Sequence, residues 1–230
     1  MEGLTILIPT YNRTNILVQT VQRLLNFIIC NRPWYILIGD DGDNFFETVN
    51  HISAIESPPG RVNVCKGPRN GLGANLNTLL KAAPTEIVMQ MDDDHWLTRS
   101  LSVNEYMDEL ETDPAFGWIR LFMGLQSDSN NKETYYNFTA RNYGRYWRLM
   151  PKISGLYIPS NRPHIKCKEF HRRYGPYDEG VKLGIQESSF CHRFADNHHN
   201  DGLLDVFIPM YPPPMDTWMH VGDSWQKEGL

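Results

Sequence analysis

Three consecutive carboxylates, Asp92-Asp93-Asp94, follow an apolar run and precede His95-Trp96-Leu97 in this 230-residue sequence. Carboxylates crowded where water is partly excluded demand a counter-charge, since two unit charges about 4 Å apart repel by roughly 4 kcal/mol at an effective dielectric near 20. Either one of them takes up a proton or a cation binds. Hard oxygen ligands favour Mg²⁺ or Mn²⁺, and these ions complete their shells with substrate phosphates, so a diphosphate is the natural partner. A bare acid triplet is more often a solvated turn that caps the next helix, and only its surroundings reverse that preference. Neither this cluster nor Asp40-Asp41-Gly42 is an EF-hand loop, which needs a glycine at its sixth position and a glutamate at its twelfth.

Strands ending side by side would bring these carboxylates together. Leu4 to Ile8 is an apolar run closed by Pro9, and Tyr35 to Ile38 runs into the turn residues Gly39-Asp40-Asp41-Gly42; both predict buried parallel strands. Between them Ile16, Leu17, Thr20, Val21, Leu24, Leu25 and Ile28 recur at helical spacing, with Thr14 or Asn15 at the N-cap, which completes a βαβ unit. Val62 to Cys65 predicts a third strand, Gly73 to Ala83 a helix, and Glu86 to Met91 a fourth strand leading into the triplet. The alternation predicts a twisted, mostly parallel sheet. In such sheets ligands bind beyond the carboxyl ends of the strands, where Thr10 to Arg13, Asp40 to Asp43 and Asp92 to Asp94 all fall.

The second half reads differently, with a helix from about Leu101 to Leu110, a polar stretch from Ser127 to Glu133, and a strand from Ser154 to Ile158. Between these last two lies an aromatic-rich stretch, Tyr135 to Trp147, with Arg141, Arg145 and Arg148 interleaved or adjoining. Tyr211-Pro212-Pro213-Pro214 must be extended. No linker separates the halves, so the expectation is one domain over 1–230, with halves 1–97 and 98–230.

At 41% apolar and 21% charged residues, the composition is that of a folded chain and excludes disorder. Lys plus Arg is 22 against 27 Asp plus Glu, a net charge of -5, so any nucleic-acid contact must be local. Cys30, Cys65, Cys167 and Cys191 lie far apart without a CxxC pair, which argues against a disulfide framework or a cysteine zinc site and for a reducing compartment. With no leader and no apolar run of membrane length, the expected location is cytoplasmic. His171, His198 and His199 lack partners at metal spacing and read as solvated; His95 reads as packing or support for the triplet.

Taken in order, Leu4 to Arg13, Ile36 to Gly42, Asn70 to Gly73 with Asn77, and Asp92 to Leu97 resemble the nucleotide-sugar half of glycosyltransferase family 2. Tyr174 to Glu179 resembles that family's Phe-Gly-x-Phe-Asp-Glu stretch, and Gly184 to Phe190 with Arg193 resembles its xED motif. The resemblance implies the GT-A fold, a Rossmann-like α/β architecture with a mostly parallel sheet flanked by helices and an acceptor-binding C-terminal half. It puts Pro9, Thr10, Tyr11 and Arg13 beside the nucleotide, Tyr11 stacking on the base. Asp41 accepts a hydrogen bond from the base imide with Asp40 beside it, and Arg69 and Asn77 belong to the same donor side. Asp93 matches the metal-chelating carboxylate, with Asp92 or Asp94 reaching the ribose or a metal-bound water, and His220 supplies a late ligand to Mn²⁺ or Mg²⁺. Glu187 occupies the xED carboxylate position and is the general base; the usual residues are aspartate there and glutamate at Gln186.

The implied reaction is inverting, metal-dependent transfer of a sugar from a nucleoside-diphosphate sugar to an acceptor hydroxyl. A glycan is the first acceptor class, and the aromatic-rich, arginine-bearing stretch also suits a nucleic-acid base. A sugar nucleotidyltransferase would open with a glycine-rich loop where Pro9 to Arg13 stands. A catalytically silent nucleotide- or glycan-binding module is the alternative that the Gln186-Glu187 departure keeps open.

Overall fold

A computed structural model describes residues 3–121, 126–127, 133–134, 140–149, 158–159, 161–182, 184–198, 203–210, 213–214 and 217–221. The chain runs β1 (Leu4–Thr10), α1 (Thr14–Phe27), β2 (Ile28–Ile29), β3 (Trp34–Asp40), α2 (Phe45–Ser53), β4 (Val62–Lys66), α3 (Gly71–Ala82) and β5 (Ile87–Gln90). After the acid triplet come β6 (His95–Leu97), β7 (Leu101–Ser102), α4 (Asn104–Thr112), β8 (Phe116–Arg120), β9 (Gln126–Ser127) and β10 (Glu133–Thr134). The rest is β11 (Ala140–Tyr143), β12 (Tyr146–Leu149), β13 (His164–Cys167), α5 (Glu169–Tyr174), α6 (Ile185–Asn197), β14 (Asp205–Pro209) and β15 (Trp218–His220).

Among the described residues nine strands form one sheet in the order β11-β12-β14-β8-β13-β5-β1-β3-β4. The four from β5 to β4 are parallel, as the βαβ pattern predicts. Across β13 the sheet becomes mixed, because β13 is antiparallel to both β5 and β8, and β11 and β12 also pair antiparallel. Strand β13 is not among the elements expected from the sequence. Its His164-Ile-Lys-Cys167 stretch is polar at alternate positions, yet His164 and Lys166 are both completely buried.

Apolar residues alternate across the sheet. Leu4, Ile6 and Ile8 of β1 join Leu17, Val21 and Leu24 of α1 and Met107 and Leu110 of α4 in one core. Leu7 points the other way, into a core with Leu76 and Leu79 of α3, Phe170 of α5, and Phe190 and Phe194 of α6. Burial on both faces explains why β1 reads as a continuous apolar run rather than an alternating one. Pro9 is tolerated within β1 because pairing with β5 stops at Leu7, while the β3 side continues to Thr10↔Asp40.

Local details depart from expectation. The N-cap of α1 is Arg13, without a side-chain cap, while Thr14 opens the helix and hydrogen-bonds Thr48 of α2 through their hydroxyls at 2.9 Å. The helix expected from Leu101 begins at Asn104, since Leu101 and Ser102 pair with β2 and the Val103 N–H donates to Ile29. Of the aromatic-rich stretch, residues 135–139 lie outside the described residues; the remainder forms the β11–β12 hairpin at the sheet edge, with Tyr146 buried against Phe116. The strand expected over Ser154 to Ile158 lies outside the described residues except for Ile158. His198 is buried against Asp205, and His171 is half-buried with its ring on Phe190 and Tyr177, so neither is the solvated histidine its spacing suggested. Among the described residues no helix is long and apolar enough to cross a membrane.

Candidate functional site

Beyond the carboxyl ends of β1, β3 and β5 the three polar stretches meet. Thr10, the last residue of β1, donates its hydroxyl to Asp93 Oδ2 at 2.5 Å. Arg13 Nη1 bridges Asp93 Oδ1 at 3.2 Å and Asp94 Oδ2 at 2.9 Å. The Thr20 hydroxyl, from α1, donates to the Asp93 carbonyl. Part of the counter-charge demanded by the triplet is therefore built into the chain. Burial still raises the Asp93 carboxyl to about 6, against the opposing pull of Thr10 and Arg13. Asp92 is raised well above its ordinary value, first by burial and then by the charges of Asp94, Asp93 and Glu187.

Asp94 behaves in the opposite way. Burial disfavours its charge, but the imidazoles of His220 and His95 hold the carboxyl well below the usual range. The reason is strand pairing: β15 lies antiparallel to β6 with His220 opposite His95, and the Val221 N–H donates to the Asp94 carbonyl at 2.9 Å. His95 Nδ1 stands 3.3 Å from Asp94 Oδ1, and His220 Nε2 stands 3.4 Å from Asp94 Oδ2. The two rings are 4.9 Å apart between centroids, and one ligand atom from each of the three residues falls within 4.8 Å of the others. Burial lowers the His95 pKa, which favours the neutral imidazole that a metal requires. Asp94 Oδ1 is a buried acceptor with no hydrogen bond of good geometry. A carboxylate and two imidazoles around such an atom fit Mn²⁺ better than Mg²⁺, which prefers an all-oxygen shell. From its place directly after the triplet His95 reads as packing or support for it; the fold brings one of its ring nitrogens within 4.8 Å of ligand atoms of Asp94 and His220.

On the donor side, Asp41 Oδ1 accepts the Arg69 N–H at 2.9 Å. Gly67 is necessary beside it, because a Cβ there would lie 2.0 Å from the same oxygen. The Arg69 guanidinium donates to the Gly42 carbonyl at 2.8 Å and to Asp43 at 2.9 Å, while Asp40 Oδ1 accepts the Gly42 N–H at 2.7 Å. Asp40 and Asp41 are buried, whereas Tyr11 is 61% exposed just past β1. Asn77 stands apart from this group. Its Oδ1 accepts the Tyr177 N–H at 3.0 Å and its Nδ2 donates to the Tyr177 carbonyl at 2.9 Å and to Glu179 at 2.8 Å.

Glu187 lies in the first turn of α6 and accepts the Asn161 N–H at 2.8 Å. Burial raises its pKa, opposed by that N–H and by the positive charges of Arg120 and Arg162. The sequence offered no hint of those two arginines at this carboxylate. The helix is anchored by Asp178, which accepts the Ser189 hydroxyl and Arg193 Nη1, the latter at 2.9 Å.

The family model for glycosyl transferase family 2 matches residues 5–167, and the chain belongs to that family. No curated protein matches it. Among solved structures, GalNAc-T7 with UDP, GalNAc and Mn²⁺ superposes with a TM-score of 0.66 at 13% identity, covering 94% of this chain and 45% of that one. TarS of S. aureus in complex with UDP-GlcNAc gives 0.60 at 13% identity, covering 90% and 55%. The mannosyltransferase PcManGT from Pyrobaculum calidifontis, in complex with GDP-Man and Mn²⁺, gives 0.57 at 15% identity, covering 93% and 58%. These likenesses establish the GT-A fold. The chain spans about half the length of the solved proteins it resembles.

Proposed function

We propose that the protein transfers a sugar from a nucleoside-diphosphate sugar to an acceptor hydroxyl, with inversion and with a divalent ion, Mn²⁺ in preference to Mg²⁺, held by Asp94, His95 and His220. The observation that carries this reading is the convergence of those three ligand atoms within 4.8 Å at the carboxyl end of the sheet. When bound, the ion supplies positive charge against the departing diphosphate. Arg13 bridges Asp93 and Asp94; Asp93, which also takes the Thr10 hydroxyl, orients Thr10 and Arg13, and Asp94 keeps its Oδ1 for the ion. Asp92, whose pKa is raised first by burial and then by its acidic neighbours, faces the ribose. Pro9, Thr10, Tyr11 and Arg13 flank the nucleotide, and Asp40, Asp41 and Arg69 frame its base.

Glu187 removes the acceptor proton as the glycosidic bond forms. Its raised pKa supports this role, because a more basic carboxylate is a better proton acceptor near neutral pH. Donor nucleotides of the UDP or GDP type agree with the bound ligands of the similar structures, and a glycan hydroxyl is the acceptor class.

The test separates ion from base. Asp94→Ala should abolish both the Mn²⁺-dependent thermal stabilisation by UDP or GDP and the turnover of UDP-GlcNAc or GDP-Man, whereas Glu187→Gln should abolish turnover alone. Undiminished turnover in Glu187→Gln would refute the base assignment, and nucleotide stabilisation without any turnover in the wild type would favour a silent binding module.

A further inference from the structure

Lys166, in the middle of β13, is completely buried, and among the described residues no carboxylate pairs with it. Its Nζ donates to Gln90 Oε1 at 2.7 Å and to the Tyr177 hydroxyl at 2.9 Å, and that hydroxyl donates to Gln90 Oε1 at 3.1 Å. The Trp118 ring lies 4.3 Å from Nζ. Burial holds the amine well below its ordinary value. An amine that the unfolded chain protonates freely is a liability in such a place, and a methionine would fill the space without it. A completely buried amine with no carboxylate partner among the described residues, at the centre of a sheet where an apolar residue would fit, points to a functional use.

Lys166 holds Tyr177. The backbone of Tyr177 is gripped on its other side by the Asn77 amide, through both N–H and carbonyl. The next residue, Asp178, takes Ser189 and Arg193 from α6, and Arg193 also donates to the Pro176 carbonyl. A continuous set of contacts therefore leads from Gln90 and Lys166 to Tyr177, on to Asp178, and into the helix whose first turn carries Glu187. Gln90 also stands two residues before Asp92 in the chain.

We propose that Lys166 is a positioning residue: by fixing the Tyr177 hydroxyl it sets the placement of Asp178 and α6, and so aims the Glu187 carboxylate at the acceptor hydroxyl. The inference rests on the reading of Glu187 as base. Its distinguishing feature is that stability and activity should move in opposite directions.

Lys166→Met is expected to melt at the same or a higher temperature than the wild type at neutral pH and to keep its stabilisation by UDP and Mn²⁺. It should nevertheless turn over UDP-GlcNAc or GDP-Man about tenfold more slowly, a modest share of the roughly hundredfold that a 1 Å misplacement can cost. Amide hydrogen exchange at Tyr177, Asp178 and Ile185 to Ser189 should accelerate. Tyr177→Phe, which keeps the ring and loses the hydroxyl, should loosen the same amides and slow turnover, and decides the matter if Lys166→Met does not fold. Unchanged exchange at these amides, or turnover and melting temperature that fall together, overturns the positioning role. Wild-type turnover in Glu187→Gln instead overturns the base reading and, with it, the purpose of the positioning.

Discussion

Asp94 meets the Arg13 guanidinium and the His220 imidazole at Oδ2 and the His95 imidazole at Oδ1, and the two imidazoles hold its carboxyl well below the usual carboxylate range. Removal of one imidazole should therefore be felt in ion binding before stability. We expect His220→Ala to weaken Mn²⁺ binding by more than the roughly 10–100-fold typical of losing an outer partner of a metal site, while the exposed position of the ring (44% of its side chain is accessible) keeps the melting temperature near that of the wild type. Titration of Mn²⁺ against both proteins by calorimetry checks this. His95→Ala should weaken the ion similarly but also lower the melting temperature, since His95 is buried. At this scale the sequence put Asp93 first as chelator, with Asp94 and His220 beside it, whereas the group that the fold brings together is Asp94, His95 and His220. It was silent on how Asp93 and Asp94 divide their partners, because that depends on Thr10 and Arg13 arriving from another strand.

The elements that hold Glu187 depend on one close approach. Gly73 in α3 lies so near the 178–180 segment that a Cβ would sit 2.0 Å from the Asp178 carbonyl oxygen. Backbone cannot yield as a flexible side chain can, so Gly73→Ala should destabilise the fold by about 1–3 kcal/mol. It should also separate α3 from α6, lowering turnover more than nucleotide binding; urea unfolding and parallel binding measurements report the two effects. The parallel half of the sheet was legible because β1, β3 and β5 are buried on both faces and the helices between them keep a 3.6-residue apolar period. β13 was not legible, because Lys166 and His164 occupy inward positions where an apolar residue is the norm. The late start of α4 was hidden for another reason: Leu101 suits a helix and a strand equally well, and only the proximity of β2 decides between them.

Across the whole molecule, buried ionisable groups pull the pH dependence of stability both ways. His164 is kept neutral in the folded state, first by burial and then by Lys166, with a pKa well below 6.5. The unfolded chain binds a proton there as pH falls through 6.5, so this histidine withdraws stability on acidification by about 1.4 kcal/mol per pH unit below that point. Asp93 acts in reverse: folded, it holds its proton up to about 6, so it adds stability as pH falls from 6 towards 4. A wild-type profile mixes these contributions, and a difference measurement separates them. His164→Phe, which preserves a ring on Trp118, should lose less melting temperature than the wild type between pH 7 and pH 5. Equal losses would mean that His164 is already charged when folded.

The pairing of β6 with β15 joins His95 and His220, residues 125 positions apart. An ion bridging them would act as a removable staple across a long loop of chain, and its affinity would be paid back as resistance to opening of that strand pair. Proteases would then attack the chain around Trp218 to Val221 more slowly in manganese than in chelator, so a simple digestion would show whether β15 and the ion come and go as one.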